Sequence, residues 1–181
     1  MRRPLVLALM LALLGTQSAL AALPDGTRAP LFTATATLGG KTYPFSLARA
    51  LKKGPVVLYF YLAAFTPGCT LEAHLFADAM PKFKALGATV IGVSHDSIAK
   101  LKRFSVSACR KKFPVASDAS GRIMKEYDAV LPANPVLANR TSYVIAPDDV
   151  ILYSYTNLNP EDHVANTMAA VRKWDSEHRR S

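Results

Sequence analysis

Pro55-Val56-Val57-Leu58-Tyr59-Phe60-Tyr61-Leu62, followed after three residues by Thr66-Pro67-Gly68-Cys69-Thr70-Leu71-Glu72, is the stretch that decides the fold of this chain. The first run is apolar and rich in β-branched and aromatic residues, which is the pattern of a buried strand. Beyond it, Leu71, Leu75, Ala79 and Phe83 repeat every four residues, which predicts a helix. Cys69 therefore falls in the first turn of a helix fed by a strand, where unpaired backbone N–H groups and the positive end of the dipole favour an anion. Reactive cysteines occupy such places. The competing reading is a small apolar residue buried at a strand–helix junction. The Thr66 hydroxyl nearby and the Pro67-Gly68 pair that exposes the turn favour a reactive thiol.

Working outward, Phe32 to Leu38 and Lys41 to Phe45, joined by Gly39-Gly40, read as an N-terminal hairpin. Ser46 caps a short helix to Lys52 that Gly54-Pro55 ends. The Cys69 helix is expected to reach Gly87 with a kink at Pro81. Ala88 to Ser94 completes a β-α-β unit with parallel strands. A helix from Asp96 or Ser97 to about Ala108, a short edge strand at Pro114 to Ala116 and a helix from Ser120 to Tyr127 follow. Ser142 to Ala146 and Val150 to Tyr155 pair across Pro147-Asp148-Asp149. The last helix opens at Asn159-Pro160-Glu161-Asp162 and runs past Trp174. This alternation predicts an α/β chain folded as a three-layer α/β/α sandwich with a mixed sheet. Its active positions should gather where the first β-α turn meets the carboxyl edge of the sheet.

The N-terminus carries a different message. Met1-Arg2-Arg3 is a basic start, Leu5 to Leu14 is apolar, and Ala19-Leu20-Ala21 is a small-x-small site, so residues 1–22 read as a secretory signal cleaved after Ala21 or Ala22. The apolar core is about ten residues where a spanning helix needs ~20, so no membrane insertion is expected after cleavage. Two adjacent arginines in a basic start are common and do not by themselves indicate twin-arginine export. Residues 23–181 then form one domain with one sizeable core, in an exported, periplasmic protein.

The formal charge of +9 falls to about +7 without Arg2 and Arg3, with 20 basic against 13 acidic residues spread along the chain. A solvated surface accounts for it, and basic residues do not interleave with aromatics as nucleic-acid binding would require. Two cysteines, Cys69 and Cys109, enter an oxidising compartment, where an even count suggests a structural disulfide. A domain of this size does not need one, so a redox role competes, and the spacing alone does not say whether the sulfurs meet.

Taken together, Tyr59-Phe60-Tyr61, Thr66-Pro67-Gly68-Cys69-Thr70-Leu71-Glu72-Ala73, Val90-Ile91-Gly92-Val93-Ser94, Ser117-Asp118 and Arg140-Thr141-Ser142-Tyr143-Val144-Ile145 resemble peroxiredoxins of the bacterioferritin-comigratory, or peroxiredoxin Q, type. The similarity runs from about Leu31 to Trp174. It implies a thioredoxin-like fold, reduction of hydrogen peroxide and organic hydroperoxides through a cysteine sulfenic acid, no cofactor, a thioredoxin-like or other thiol reductant, and a monomer. By the same resemblance Cys69 is the peroxidatic cysteine, Thr66 holds the peroxide, Arg140 pairs with the thiolate and the developing charge, and Glu72 orients Arg140. Without the resemblance, Arg140 reads as a surface cation and Glu72 as an acid meeting the helix dipole.

Two positions depart from the family pattern. Leu62 stands where the motif has a proline, and His74 stands five residues after Cys69, where many members carry a resolving cysteine. Cys109 is then the internal candidate for resolution, against an external thiol. A non-catalytic thioredoxin-like binding module is the alternative of a different class. A metal carrier would need more than Cys69 with His74, a thioredoxin-type exchange site would use Cys-x-x-Cys where position 66 is threonine, and His95 reads as a loop residue.

Overall fold

The computed structural model describes residues 22–178; the stretch read as a secretory signal, apart from Ala22, and the Arg179-Arg180 tail lie outside the described residues. In chain order the elements are β1 (Thr33–Leu38), β2 (Lys41–Ser46), α1 (Leu47–Leu51), β3 (Val56–Phe60), α2 (Pro67–Ala85), β4 (Thr89–Ser94), α3 (Ile98–Ser107), β5 (Val115–Ser117), α4 (Arg122–Glu126), β6 (Thr141–Ile145), β7 (Ile151–Thr156) and α5 (Glu161–His178). The strands form a mixed sheet in the order β2-β1-β5-β4-β3-β6-β7. β3 and β5 each run parallel to β4, and the other pairs are antiparallel.

Every residue of β3 is buried, and its side chains alternate between two separate cores, as period-two geometry requires of a strand covered on both faces. Val56, Leu58 and Phe60 join Leu47 and Leu51 of α1 and Ile123 and Met124 of α4. Val57, Tyr59 and Tyr61 join Phe76 of α2, Phe104 of α3 and Val171 of α5. That is the expected three-layer sandwich. Tyr59 stacks on Phe76 with ring centroids 4.5 Å apart, and its ring lies across β4 at Gly92. A Cβ there would stand 2.7 Å from the ring, so glycine at 92 is a packing requirement.

The hairpin forms as expected, with Leu38 opposite Lys41 and Gly39 and Gly40 both at positive φ. One expectation is corrected. The short strand after α3 is not at an edge: β5 lies inside the sheet, with Val115 paired to Thr37 of β1 on one side and Gly92 of β4 on the other. The edges are β2, where Pro44 removes a ladder donor without harm, and β7. The stripe that α2 buries is not the four-residue repeat that marks it as a helix. It is Cys69, Glu72, Ala73, Phe76, Ala77, Met80 and Phe83, and Leu71 is 43 % exposed. A row of strict fours drifts by about 40° per step on a helix of 3.6 residues per turn, so that row leaves the core face. α2 runs through Pro81 and stops before Gly87, which takes a positive φ of 68°.

Candidate active site

Thr66 is the N-cap of α2 with extended backbone (φ −70°, ψ 150°), Pro67 is the first helical residue, and Cys69 follows in the first turn, 1 % exposed. Proline suits that position because its missing N–H would have had no partner. The Thr66 hydroxyl does not cap the helix. It donates to the Ala63 carbonyl at 3.0 Å, which leaves its lone pairs able to accept from a peroxide O–H.

Arg140, the residue before β6, reaches across the end of the sheet to the Cys69 turn. Its Nη2 donates to Cys69 Sγ at 3.5 Å, Nη1 donates to Glu72 Oε2, and Nε donates to the Leu158 carbonyl at 2.9 Å. A guanidinium held at three nitrogens has its planar fork fixed before substrate arrives. Gly68 makes room for it, since a Cβ there would stand 3.1 Å from Nη2. Arg140 is 4 % exposed and Glu72 fully buried, so neither is the solvated charge that a sequence without the resemblance suggests. Burial pushes the Glu72 carboxyl up to about 8 from an ordinary 4.5, against the opposing pull of Arg140.

Cys69, Glu72 and Arg140 are thus brought together, with Thr66 beside them at the helix cap. Cys109 is not joined to them. It lies just beyond the C-cap of α3, fully buried in the same apolar cluster as Cys69, with no disulfide between the two. Burial pushes its thiol well above the ordinary range. The residues after it, Arg110 and Lys111, both take left-handed backbone conformations (φ 48° and 58°), which cost non-glycine residues roughly 1–2 kcal/mol each. Leu62 is partly buried against the Cys69 cluster, and His74 is half-buried on α2 off the core stripe. His95 sits on the bend after β4 with Nδ1 3.1 Å from the Asp118 carbonyl.

Sequence reasoning missed His163. It reads as one more polar residue in the acidic first turn of α5, yet it is fully buried, with Nε2 2.8 Å from the Asn157 carbonyl and Nδ1 2.8 Å from Ser142 Oγ. The available signal was its place in the row His163, Thr167, Val171, which is buried together with Met168. Burial pushes His163 down to about 4 from 6.5. A histidine lowered in the fold contributes stability that is complete above about 6.5 and is lost as pH falls toward 4, up to about 3 kcal/mol. Urea unfolding at pH 7 and pH 4.5 should therefore show a steeper acid loss in the wild type than in His163→Gln.

The chain resembles known proteins along most of its length. The AhpC/TSA family profile matches residues 26–154. Peroxiredoxin Q of Triticum aestivum chloroplasts is 38 % identical over 134 residues, covering 74 % of this chain and 60 % of the relative. That of Oryza sativa subsp. japonica is 38 % identical over 148 residues, covering 81 % and 66 %. The chain therefore spans roughly three fifths to two thirds of the length of these curated relatives. Among solved structures, the peroxidoxin BcpB of Mycobacterium tuberculosis superposes with a TM-score of 0.75 at 30 % identity, over 82 % of this chain and 96 % of that one. Xanthomonas campestris peroxiredoxin Q gives 0.68 at 26 %, over 78 % and 90 %.

Proposed function

The chain belongs to the AhpC/TSA family, and from that membership we propose that it is a thiol-dependent peroxidase whose reacting group is Cys69. The observation that carries the reading is the buried Arg140 guanidinium 3.5 Å from Sγ, itself fixed by Glu72 and the Leu158 carbonyl. A cation there stabilises negative charge on the sulfur and then on the oxygen that departs.

The Cys69 thiolate attacks one oxygen of a hydroperoxide. An S–O bond forms, the O–O bond breaks, and the leaving oxygen takes a proton and departs as water or an alcohol. Sulfur ends as a sulfenic acid, oxidised by two electrons, and the peroxide is reduced by two. Thr66 accepts the peroxide O–H. Cys109 then attacks the sulfenic sulfur, an S–S bond forms and water leaves. A thioredoxin-like dithiol returns two electrons and both thiols. Because Cys109 is buried, this second step requires the end of α3 to open, and the left-handed pair Arg110-Lys111 supplies a strained segment that opening relieves. Hydrogen peroxide and organic hydroperoxides are the substrates proposed. The basic, apolar and small-x-small succession of residues 1–22 supports export to the periplasm, and the resemblance to peroxiredoxin Q supports a monomer.

Mixing reduced protein with limiting hydrogen peroxide should consume the Cys69 thiol much faster than free cysteine reacts, and peptide mass spectrometry should then find Cys69 linked to Cys109. Cys109→Ser should instead accumulate sulfenic acid at Cys69. Thiol loss no faster than that of free cysteine counts against the peroxidase, and a lasting sulfenic acid in the wild type counts against Cys109.

A further inference from the structure

Behind Arg140 lies a chain of buried polar groups that the peroxidase reaction does not use. Glu72 Oε2 accepts from Arg140, but Oε1 has no hydrogen-bond partner. That oxygen faces His163 Nδ1 at 3.9 Å. An ionised carboxylate buried with one oxygen bare is unfavourable, so the arrangement asks where a proton resides.

The geometry answers for the imidazole first. The Asn157 carbonyl, 2.8 Å from Nε2, can only accept, so Nε2 carries the hydrogen. In a neutral ring Nδ1 is then an acceptor, and the Ser142 hydroxyl at 2.8 Å donates to it. A neutral ring suits the site, where burial and the adjacent Arg140 oppose a second cation. Nδ1, its one lone pair taken by Ser142, thus turns the negative end of the ring dipole toward Oε1. A negative charge on Oε1 is repelled by it, whereas a proton on Oε1 removes the repulsion and leaves a neutral carboxyl facing the ring.

The charge count of the pocket points the same way. With Cys69 as a thiolate and Arg140 as a cation, a neutral Glu72 leaves the buried cluster with no net charge. An ionised Glu72 would leave it at −1, which burial penalises. We propose that His163 is a positioning residue that, with Ser142 and Asn157, keeps the proton on Glu72, so that the charge of Arg140 is balanced by the Cys69 thiolate and not by Glu72. This inference rests on the reading of Cys69 as the reacting thiol and adds what sets its electrostatic partner. The ionisable groups facing His163 are Glu72 from α2, Arg140 before β6, Tyr155 from β7, whose ring meets it edge-on with centroids 4.8 Å apart, and Asp162 on α5 itself.

Two measurements test it. Infrared spectra of the reduced protein at neutral pH should contain the C=O stretch of a buried protonated carboxylic acid. Its assignment comes from its loss in Glu72→Gln, and it should weaken in His163→Gln. In stopped-flow reaction with hydrogen peroxide, His163→Gln keeps a donor for the Asn157 carbonyl but loses the Nδ1 acceptor. Its pH–rate profile should move alkaline by about one unit, so that the neutral-pH rate falls about tenfold while the alkaline plateau is kept. His163→Asn, which places an amide oxygen near the Nδ1 position, should restore most of the profile. Absence of the acid band from the wild type overturns the proposal even if both variants fail to fold. So does a His163→Gln protein with the wild-type band and profile, or one whose rate drops equally at every pH, which is the mark of packing alone. Failure of the peroxidase reading is separate: the wild type would not consume peroxide, and the infrared result would be unaffected.

Discussion

Cys69→Ser is expected to abolish peroxide consumption, with a loss on the order of 10³-fold or more, the size seen when a covalent nucleophile is removed elsewhere. The exchange swaps sulfur for oxygen in a site 1 % exposed, so packing is nearly preserved and the fold should unfold at almost the same denaturant concentration. What changes is chemistry. A serine hydroxyl needs a general base to become a nucleophile, and the group that reaches Sγ is Arg140, a donor with no acceptor. His163, the nearest imidazole in the network, is separated from the sulfur by Glu72 and Arg140. The group that reaches Sγ can stabilise negative charge but has no means of making an alkoxide. Anaerobic peroxide consumption by the purified variant, with circular dichroism to verify folding, checks this. Turnover within tenfold of the wild type would move the reaction to Cys109 or elsewhere.

The parts of this molecule that could be read in the sequence are those written in local periodicity. The strand–turn–helix around Cys69, the Gly39-Gly40 hairpin and the β-α-β unit each declare themselves within twenty or thirty residues. The strand β5 was legible but its interior place was not, because that place depends on β1, about eighty residues earlier in the chain, pairing along its outer side. The core face of α2 was not legible, because its buried row contains a glutamate. A buried Glu72 interrupts the apolar pattern of that face, while the apolar Leu71 beside it is exposed. Arg140 and Glu72 were legible through family resemblance alone, since 68 residues separate the partners of their ion pair. His163 was legible by neither route. Its burial follows from α5 laying one turn against Ser142 of β6, a tertiary contact whose only sequence trace is the weak row His163, Thr167, Val171.

Arg140→Met should lower the rate of Cys69 oxidation by about 10²–10³-fold, the usual cost of deleting a preorganised donor that meets developing charge. Methionine fills the apolar part of the space but removes the donor to Sγ and the positive charge beside it. The consequence for stability is less direct. Removing one partner of a buried ion pair costs about 3–5 kcal/mol when the other stays charged. Glu72 need not stay charged, because its carboxyl already stands at about 8. Without Arg140 nothing opposes the burial that raises it, so it remains protonated and the cost at neutral pH falls to that of an unmet carbonyl oxygen, about 1–3 kcal/mol. The sign in pH follows from linkage. An acid raised in the folded state contributes stability that is complete below its unfolded value, near 4.5, and is lost as pH rises through the folded value. Arg140→Met should therefore track the wild type from pH 5 to about pH 7 and go on losing stability above pH 8, where the wild type levels off, in urea titrations. Arg140→Lys restores the charge but not the fork, so it should recover part of the pH dependence and little of the rate. An Arg140→Met protein that oxidises within about threefold of the wild type would mean that the guanidinium beside Sγ does not stabilise the charge developing in the reaction.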